Sequence, residues 1–356
     1  MGISDVVVNE LKIDPAYVLP PEFRPKLVEG LKELDDIPVI DLAPLLANDV
    51  KGTQIIVEQV AKACEEWGFF QVINHGIPIK LLEDVEAEAL KFFSLPLELK
   101  RKIQRTLENP LGYFDSELTK NVRDWKEVFD FVTRGKLEYA AADGKLNVQE
   151  NKWPENPPHL KDACEAWKEA TLGLAYKLLE LLALSLGLPA TYFNPVFEKE
   201  DTNLLRLNYY PPCPAPDLVL GVSRHKDSCG LTLLVQDEVG GLEVRRNDGE
   251  WIRVKPRRDA FVINVGDLFQ VWSNDRYKSI EHRVVVNEHK RRFSVPLFIN
   301  PSYSTKVFPI PELLDAQHPP KYREYMWGDC LQSLKNSNFK NMGAENLQIS
   351  HLAINI

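Results

Sequence analysis

The chain of 356 residues is 44% hydrophobic and 27% charged, and its formal net charge at pH 7 is −9. This composition is typical of a globular protein with a sizeable core. The acidic balance argues against a nucleic-acid partner, because phosphate binding needs clustered Lys and Arg, and the tightest basic run, "HKRR" at 289–292, is short. No apolar stretch approaches the roughly eighteen residues of a membrane span, so no membrane partner is expected.

The cysteines and the N-terminus indicate where the protein works. The five cysteines are scattered and include no C-x-x-C pair, which predicts reduced thiols rather than a disulfide framework. The first residues lack a basic region followed by an apolar stretch, so the sequence shows no secretory signal. We therefore expect a cytoplasmic protein, and we expect it to be a monomer.

The first half of the chain combines predicted helices with a few predicted strands. Apolar residues at helical spacing predict the helices, and Gly68 and Gly187 predict where two of them end. Residues 106–156 show little periodicity and several polar turns, which predicts a long irregular excursion. In chain order, the sequence predicts an extended proline-rich arm (1–36), a strand (37–42), a helix (52–68), a strand (69–77), a helix (79–93) and, after the excursion, a long helix (159–189).

From residue 203 the pattern changes to short β-rich runs separated by turn residues. Pro296 interrupts the last run and predicts an edge strand or a bulge, because proline cannot donate to a strand ladder. The spacing of the runs predicts an antiparallel sandwich or barrel, and the tail, 311–356, returns to helix-like and loop patterns. The β-rich runs are "NLLRLNYY", "LTLLVQ", "LEVRR", "EWIRVK", "AFVINVG", "HRVVVN" and "RFSVPLFIN".

A histidine and an aspartate stand two apart in "SRHKDSCG", where His225 and Asp227 would share one face of a strand while Lys226 points away. A bare His-x-Asp is weak evidence, since it can also be a polar turn that leads into a strand. His282, at the head of a later β run, is a candidate third ligand. Two histidines and one carboxylate form the donor set of non-haem Fe(II) oxygenases. A zinc hydrolase would need a general base beside these residues, and none is evident.

A second polar pair follows in "RFS", where Arg292 and Ser294 again share a face. A planar guanidinium suits the distal carboxylate of a dicarboxylic acid, and the hydroxyl adds one directed hydrogen bond. On the run "NLLRLNYY", Arg206, Asn208 and Tyr210 share one face, and the apolar residues point the other way. These positions indicate a polar, ligand-binding face within the β-rich half.

The motifs of the chain, taken together, resemble those of one enzyme family. The N-terminal half contains "IPVIDL" and "ACEEWGFFQVINHGIP". The β-rich half contains, in order, "LNYYPPCPAPDLVLGVSRHKD", "LTLLVQDEVGGLEV", "VINVGD", "SNDRYKSIEHRV" and "RRFSVPLFINP". Over nearly its whole length the chain resembles the plant 2-oxoglutarate- and Fe(II)-dependent dioxygenases, the class that includes flavonol synthase, anthocyanidin synthase and the gibberellin oxidases.

The resemblance implies a mainly β fold with α-helices. Its core would be a double-stranded β-helix, or jelly roll, with a helical N-terminal half and C-terminal helices. We expect an N-terminal dioxygenase region of mixed α/β structure at 1–200, a jelly-roll domain at 201–310, and a C-terminal helical tail at 311–356 that covers the site. The tail is too polar to form its own core, but Phe339, Leu347, Ile349 and Leu352 offer apolar contacts for folding back over the substrate mouth.

The resemblance also assigns roles to residues. His225, Asp227 and His282 would bind Fe(II). Arg292 and Ser294 would hold the C5 carboxylate of 2-oxoglutarate, and two further residues would donate hydrogen bonds to this cosubstrate. These are Tyr210 and Asn208. The substrate pocket would be lined by Val128, Asp130, Arg206, Phe298 and Asn300.

The implied reaction uses O2 and 2-oxoglutarate as cosubstrates, with ascorbate as reductant, and releases succinate and CO2. The substrate would be a small plant metabolite: a flavonoid, terpenoid hormone, alkaloid or phenylpropanoid. Hydroxylation, desaturation and demethylation all remain open. The alternative function is a non-catalytic ligand-binding or interaction relative of the same fold, although such a protein would not need all of the metal and cosubstrate residues.

Other polar residues have simpler interpretations. We expect a structural role for His75, and buried, unreactive thiols at Cys213 and Cys229. Asp237 and Glu238, in "QDE", are predicted to mark a solvated hairpin end.

Overall fold

The computed structural model describes residues 13–25, 37–140, 146–197, 201–341, 343 and 348–354. Most of its regular structure is β-strand in the second half and helix in the first. The strands are β1 (Val39–Asp41), β2 (Phe69–Ile73), β3 (Gly112–Phe114), β4 (Leu118–Thr119), β5 (Val122–Arg123), β6 (Glu127–Val132), β7 (Lys136–Ala140), β8 (Leu146–Glu150), β9 (Leu204–Tyr210), β10 (Val222–His225), β11 (Leu231–Gln236), β12 (Leu242–Arg245), β13 (Trp251–Arg253), β14 (Phe261–Val265), β15 (His282–Val284), β16 (Arg292–Ile299), β17 (Lys306–Val307) and β18 (Tyr325–Met326).

The helices lie mainly before β9 and after β18. The α-helices are α1 (Ala43–Leu46), α2 (Val50–Glu66), α3 (Ile79–Phe93), α4 (Leu97–Arg101), α5 (Leu160–Ser185), α6 (Asn194–Phe197), α7 (Asp267–Trp272) and α8 (Trp327–Phe339). Short 3-10 helices cover Pro15–Tyr17, Pro21–Phe23, Pro311–Leu313 and Ile349–Leu352. None of the helices in the described ranges combines the length and the apolarity needed to cross a bilayer.

Two sheets form the β framework. The main sheet has eight strands in the order β1-β2-β14-β11-β16-β9-β6-β3, and the small sheet has four in the order β10-β15-β12-β13. Only the β1–β2 pair of these two sheets is parallel; every other pair is antiparallel. The expected domain boundary after residue 200 falls between α6 and β9, but the main sheet takes strands from both sides of it.

Alternation along the strands gives the main sheet two different faces. On β9, Leu205 and Leu207 join the large core that also holds α2, α3 and α5. Tyr210 points the other way and joins a second core with residues of β10, β12 and β15, so the small sheet covers that face. Two sheets packed through this second core form the predicted jelly roll, and the helices cover its outer face. The predicted fold class is confirmed.

Gly68 separates α2 from β2 and shows why the predicted helix ends there. Its φ is +63°, a left-handed conformation that favours glycine. A Cβ at this position would lie 2.1 Å from the carbonyl oxygen of Lys278, so the backbone before β15 packs directly on the turn. The glycine therefore ends the helix and permits close contact between the N-terminal half and the β framework.

Two of the sequence predictions about the fold are wrong. Residues 106–156 are not an irregular excursion, because they contain β3 to β8, and β6 lies inside the main sheet beside β9. Pro296 does not lie on an edge, since β16 is paired on both sides, with β11 and β9. On the β9 side, the ladder is interrupted after Ser294 and resumes at Leu297, which accommodates the missing N–H.

Buried charged residues explain why the strand character of 106–156 was missed. Asp130 is 1% exposed and lies within β6, so a charged residue occupies a position where a buried strand would show an apolar one, and Glu117, 3% exposed, directly precedes β4. Glu117 accepts hydrogen bonds from Arg105 (2.7 Å) and Arg206 (2.9 Å) and forms an ion pair with Lys126 (2.7 Å). Asp130 accepts bonds from the same two arginines, both at 2.6 Å.

This buried cluster generates a prediction about stability. Glu117→Gln keeps the shape of the side chain but leaves three buried cations with one carboxylate fewer. We expect the variant to lose about 3–5 kcal/mol of unfolding free energy, as when one partner of a buried ion pair is removed. Urea denaturation checks this against Glu250→Gln, whose carboxylate faces solvent and pairs only distantly with Arg246 (3.5 Å). Equal stability of the two variants would contradict the prediction.

Candidate metal and cosubstrate site

Strand pairing in the small sheet brings two of the predicted ligands together. His225 is the last residue of β10 and His282 the first of β15, and the two are direct partners across the antiparallel pair. Their ring centroids lie 4.2 Å apart. Neighbouring strands in a sheet hold directly opposed side chains at such distances, so residues far apart in sequence become adjacent.

Asp227 completes the group from the loop after β10. Its Oδ1 lies 3.6 Å from Nε2 of His225 and 3.6 Å from Nε2 of His282. Its Oδ2 accepts hydrogen bonds from the hydroxyl of Thr232 (2.6 Å) and the amide of Asn264 (2.8 Å). One carboxylate oxygen is therefore held by the protein, and the other faces both imidazoles. All three candidate ligand atoms lie within 4.8 Å of one another.

Backbone carbonyls fix the orientation of both imidazoles. Nδ1 of His225 lies 2.9 Å from the carbonyl oxygen of Ser223, and Nδ1 of His282 lies 3.2 Å from that of Ile280. A carbonyl can only accept, so each Nδ1 carries a proton and each Nε2 is directed to the centre of the group. Such carbonyl partners are typical of histidines that bind metals.

The electrostatics of the group suit a divalent cation. Burial, with the nearby His282 ring, lowers the pKa of His225 to about 3, so this imidazole is neutral at neutral pH. Burial opposes ionisation of Asp227, but the two imidazoles and the bonds from Thr232 and Asn264 outweigh it and lower the pKa of the carboxyl. Two imidazoles and one carboxylate that converge in this way fit Fe(II).

Arg292 and Ser294 lie on β16, on the face of the main sheet that the small sheet covers. Arg292 donates to the hydroxyl of Ser294 (3.1 Å) and to the side-chain oxygen of Gln236 (3.0 Å), and its guanidinium lies 4.7 Å from the centre of the Tyr210 ring. Asn208 donates weakly to the same hydroxyl (3.4 Å). The four predicted cosubstrate residues are therefore adjacent and buried.

Several polar atoms in this second group lack a partner although they are buried. They are Nε of Arg292, Oδ1 of Asn208 and Nε2 of Gln236. Unsatisfied buried polar atoms are uncommon in folded proteins, and a cluster of them indicates a place for a polar ligand. The group thus fits a carboxylate-bearing molecule.

Gln236 is a site residue that the sequence analysis missed. It ends β11 as the register partner of Ser294, so strand pairing places it beside Arg292. The run "LTLLVQDE" could have marked Gln236 as a candidate, because a strand seldom ends on a polar residue that points inward. The expected solvated hairpin end is also wrong for Asp237, which is buried and whose Oδ2 accepts from the N–H of Phe293 (2.6 Å).

Comparison with known proteins agrees with this geometry. The family model of the 2OG-Fe(II) oxygenase superfamily matches residues 202–301, and one described as the N-terminal region of non-haem dioxygenases in morphine synthesis matches residues 37–156. Jasmonate-induced oxygenase 2 of Arabidopsis thaliana is 36% identical over 318 residues, which cover 88% of this chain and 83% of that protein. The chain belongs to the 2OG-Fe(II) oxygenase superfamily.

Two further relatives support the assignment of this oxygenase. Naringenin,2-oxoglutarate 3-dioxygenase of Matthiola incana is 36% identical over 313 residues, covering 87% of this chain and 84% of that protein. The crystal structure of JOX2 in complex with 2OG, Fe and JA superimposes with a TM-score of 0.77 at 32% identity and covers 94% of each chain. The protein is therefore a 2-oxoglutarate-dependent enzyme, and its cofactor is Fe(II).

A cavity of about 250 Å³ lies beside His225 and Asp227 in the oxygenase. Lys226, which was expected to point away from the metal, is exposed but lines this cavity. Val128 is fully buried and does not contribute to the cavity wall. The other four residues predicted for the substrate pocket all line it: Asp130, Arg206, Phe298 and Asn300.

Helix α8 forms part of the cavity wall. Residues spaced four apart turn one face of the helix to the cavity, and Phe339 at its end packs on Phe114 with ring centroids 4.9 Å apart. The lining residues at this spacing are Trp327, Leu331, Lys335 and Phe339. Of the other tail residues named from the sequence, Ile349 is buried and Leu352 partly buried in the last 3-10 helix, and Leu347 lies outside the described residues.

The remaining sequence expectations concern His75 and the cysteines. Nδ1 of His75 accepts a hydrogen bond from the N–H of Ile77 (3.1 Å), and its ring contacts Phe261 edge-on. All five cysteines are buried and free, and burial raises the pKa of the Cys213 thiol to about 11. A protonated, buried thiol is a poor nucleophile.

The ligand geometry predicts the effect of removing Asp227. We expect Asp227→Ala to lose Fe(II) binding and all turnover, because the remaining imidazoles supply no charge to offset that of the ion. Metal analysis and a turnover assay measure the two effects, and circular dichroism shows that the strands persist. Asp248→Ala, in an exposed turn, is the control and should behave as the parent protein. An iron-loaded, active Asp227→Ala protein would exclude this aspartate as a ligand.

Proposed function

We propose that this oxygenase couples the oxidation of a small plant metabolite to the conversion of 2-oxoglutarate and O2 into succinate and CO2, with Fe(II) bound by His225, Asp227 and His282. The observation that carries the proposal is the single oxygen of Asp227, which faces Nε2 of both histidines at 3.6 Å beside a cavity. When bound, Fe(II) supplies the activation of O2 that the oxidation requires.

The chain contributes fixed positions and a fixed charge. The carbonyls of Ser223 and Ile280 hold Nδ1 of both imidazoles, which turns each Nε2 towards the centre of the group, and Thr232 and Asn264 hold the carboxylate plane of Asp227. These partners fix the directions in which the three side chains point, so that their ligand atoms converge.

Arg292 supports the assignment of the 2-oxoglutarate site. It is 2% exposed, and no ion pair among the described residues includes it. Asp237 lies near enough to feel its charge, but Oδ2 of Asp237 is occupied by the N–H of Phe293. A buried guanidinium without a directly paired anion is costly, so an anionic ligand there is strongly favoured. The C5 carboxylate of 2-oxoglutarate would pair with it, with help from Ser294, Asn208 and Tyr210.

The substrate would occupy the adjoining cavity, with Asp130, Arg206, Phe298 and Asn300 in its wall, and Val128 behind it. Its size and mixed lining suit a flavonoid, terpenoid hormone, alkaloid or phenylpropanoid. We propose further that the enzyme is a cytoplasmic monomer, that ascorbate keeps the iron reduced, and that the tail from residue 311 covers the site. Succinate release across a panel of plant metabolites, with product masses, would identify the substrate and distinguish hydroxylation, desaturation and demethylation.

The Arg292 site predicts a change in cosubstrate affinity. Arg292→Lys should raise the KM for 2-oxoglutarate at least tenfold (on the order of 1.4 kcal/mol or more), because an ammonium cannot reproduce the planar fork. Ser294→Ala should raise it about fivefold, for one lost hydrogen bond of about 1 kcal/mol. The exposed neighbour Arg291→Lys is the matched control and should leave the KM unchanged. If Arg292→Lys also leaves it unchanged, the cosubstrate binds elsewhere.

The contact of Phe339 with Phe114 predicts a role for the tail in coupling. A closed cavity keeps water from the reacting centre, so opening the cavity should increase the turnover of 2-oxoglutarate that is not coupled to substrate oxidation. We expect Phe339→Ala to raise the ratio of succinate to oxidised product at least twofold, with an unchanged KM for 2-oxoglutarate. Phe308→Ala, at a phenylalanine that is 40% exposed, is the control. Unchanged coupling in Phe339→Ala would show that the helix end does not seal the cavity.

A further inference from the structure

Asn300, which follows the last residue of β16, lies in the wall of the cavity and is 5% exposed. Its backbone N–H donates to Oδ1 of Asn203 (2.7 Å), and its side-chain Nδ2 donates to the carbonyl oxygen of Thr202 (3.0 Å). A carbonyl oxygen can only accept, so this second bond identifies which end of the carboxamide carries the NH2 group. The protein therefore fixes the side chain through Nδ2 and leaves Oδ1 at the other end.

Oδ1 of Asn300 is a buried acceptor that receives no hydrogen bond from the described part of the chain. Among the described residues of the cavity wall, one other buried side-chain atom lacks a hydrogen-bond partner, Nε of Arg105. The Arg105 guanidinium lies 4.3 Å from the centre of the Phe114 ring and 5.1 Å from that of Phe339, so two aromatic rings cover it. A buried acceptor without a donor is unfavourable, so a donor group of a bound molecule is favoured at Asn300.

Several other acceptors in the cavity wall are already engaged by the protein. Both carboxylate oxygens of Glu117 receive N–H groups of Arg206 (2.9 and 3.0 Å). Both oxygens of Asp130 receive N–H groups of the same arginine (2.6 and 2.8 Å). Oγ1 of Thr202 accepts from Nε1 of Trp327 (3.0 Å). A donor group of a ligand would have to displace these N–H groups, whereas it displaces no protein group at Asn300.

The surroundings of Asn300 favour a donor without charge. The carboxamide is neutral, and neighbouring side chains in the wall are the aromatic rings of Phe298 on β16 and Trp327 on α8. A buried ammonium would need a counter-ion, which Asn300 does not supply. A hydroxyl or a neutral N–H needs only an acceptor. Asn300 therefore suits a hydroxyl or a neutral N–H better than it suits an ammonium.

Strand register relates Asn300 to the metal ligands. Phe298 is the register partner of Thr232, whose hydroxyl donates to Asp227 (2.6 Å). Asn300 is two residues further along and also lines the cavity, and two residues of an extended chain span about 7 Å. One part of a ring compound can thus lie near the metal ligands while another part reaches Oδ1. Asn300 is therefore placed to hold a group of the substrate other than the one that is oxidised.

Two stacked tyrosines form a flat part of the same wall. The rings of Tyr139 on β7 and Tyr303 lie 4.1 Å apart at an interplanar angle of 19°, and both residues line the cavity. The Tyr303 ring packs directly on the backbone of α8 at Gly328, where a Cβ would collide with it. The N–H of Gly328 also donates to the carbonyl oxygen of Tyr303 (3.0 Å). A flat, fixed aromatic surface favours a ligand that contains rings.

We propose that Asn300 determines which substrate this oxygenase binds, by accepting a hydrogen bond from an uncharged hydroxyl or N–H group on the ring system of that substrate. The inference rests on the proposed function, because it concerns the substrate of that same site. A cavity of about 250 Å³ encloses a body of one or two rings, and any further part of the substrate extends into solvent. The substrate class is thus a small ring compound that carries a neutral donor group.

The test measures binding rather than turnover. The enzyme is loaded with Fe(II) and 2-oxoglutarate under nitrogen and titrated calorimetrically with three sets of probes. They are 7-hydroxycoumarin, 7-methoxycoumarin and coumarin; 7-hydroxyflavone, 7-methoxyflavone and flavone; and indole, 1-methylindole and benzofuran. In each set the first probe has the donor group, the second has it methylated, and the third lacks it without added bulk.

We expect the donor-bearing probe of at least one set to bind about fivefold or more tightly than both other members, as for one neutral hydrogen bond. Comparison with both members separates the hydrogen bond from the effect of size. A preference in the coumarin or flavone set identifies the donor as a hydroxyl, and a preference in the indole set alone identifies it as an N–H group.

Variants assign the preference to Asn300. Asn300→Leu keeps the size of the side chain but removes the acceptor, so it should reduce the preference roughly threefold or more. Asn300→Ala takes its place if circular dichroism shows that the leucine variant is unfolded. Asn300→Asp keeps an acceptor oxygen and should retain the preference. Asn247→Leu, in an exposed turn outside the cavity wall, is the control and should behave as the parent enzyme.

Two results would overturn the proposal. In the first, no donor-bearing probe binds more tightly than both other members of its set. In the second, the preference persists when Asn300 is replaced by leucine or alanine. Loss of the preference in Tyr303→Phe instead would assign the acceptor to the Tyr303 hydroxyl and would equally exclude Asn300.

Titration of the same preparations with 2-oxoglutarate separates this failure from a failure of the proposed function. Asn300 lies six residues beyond Ser294, or about 20 Å along an extended strand, so its variants should bind 2-oxoglutarate as the parent enzyme does. An enzyme that binds Fe(II) and 2-oxoglutarate but shows no preference for the donor contradicts only the substrate class. An enzyme that does not bind 2-oxoglutarate contradicts the function itself.

Discussion

The antiparallel pairing of β10 with β15 is the constraint on which the rest of the site depends. It sets His225 opposite His282, and Asp227 must then turn back towards both rings within two residues. Gly266 makes that turn possible, since a Cβ there would lie 2.1 Å from the carbonyl oxygen of Cys229. The N–H of Asp267 also donates to the carbonyl oxygen of Asp227 (2.8 Å). The loop is therefore held by backbone contacts of the protein itself.

The buried charged residues of this protein fall into two groups. Some form ion pairs with other residues of the protein, and others do not. Glu117 and Asp130 neutralise three cations and join β6 and β9 to the segment around Arg105, so that cluster is structural. Arg292 is buried without an ion pair among the described residues, which is why we propose that it binds an anionic ligand. Buried charges that form ion pairs within the protein fix the shape of the cavity, whereas a buried cation without an ion pair favours an anionic ligand.

Residues with period-two alternation were predictable from the sequence, and residues placed by sheet pairing were not. Arg206, Asn208 and Tyr210 were correctly assigned to one face of β9, because alternation survives burial. The strands of 106–156 were missed because most are only two to five residues long and because Asp130, in β6, is a buried, ion-paired residue where a strand would show an apolar one. Gln236 was missed because its proximity to Arg292 follows from the register of β11 against β16, which no local pattern encodes. Lys335 was missed as a cavity-lining residue because it reaches the cavity only through the packing of α8.

The interleaving of the main sheet affects how the chain folds during synthesis. Strand β2 pairs with β14, and β6 pairs with β9. The earlier strand of each pair is therefore synthesised well before the strand with which it pairs. Their edges stay open in the nascent chain, and such long-range pairing is slow to form and prone to aggregation. His282 belongs to β15, which follows every strand of the main sheet except β16 in the chain. The three proposed ligands can therefore meet around iron only in a nearly finished polypeptide or after its release from the ribosome.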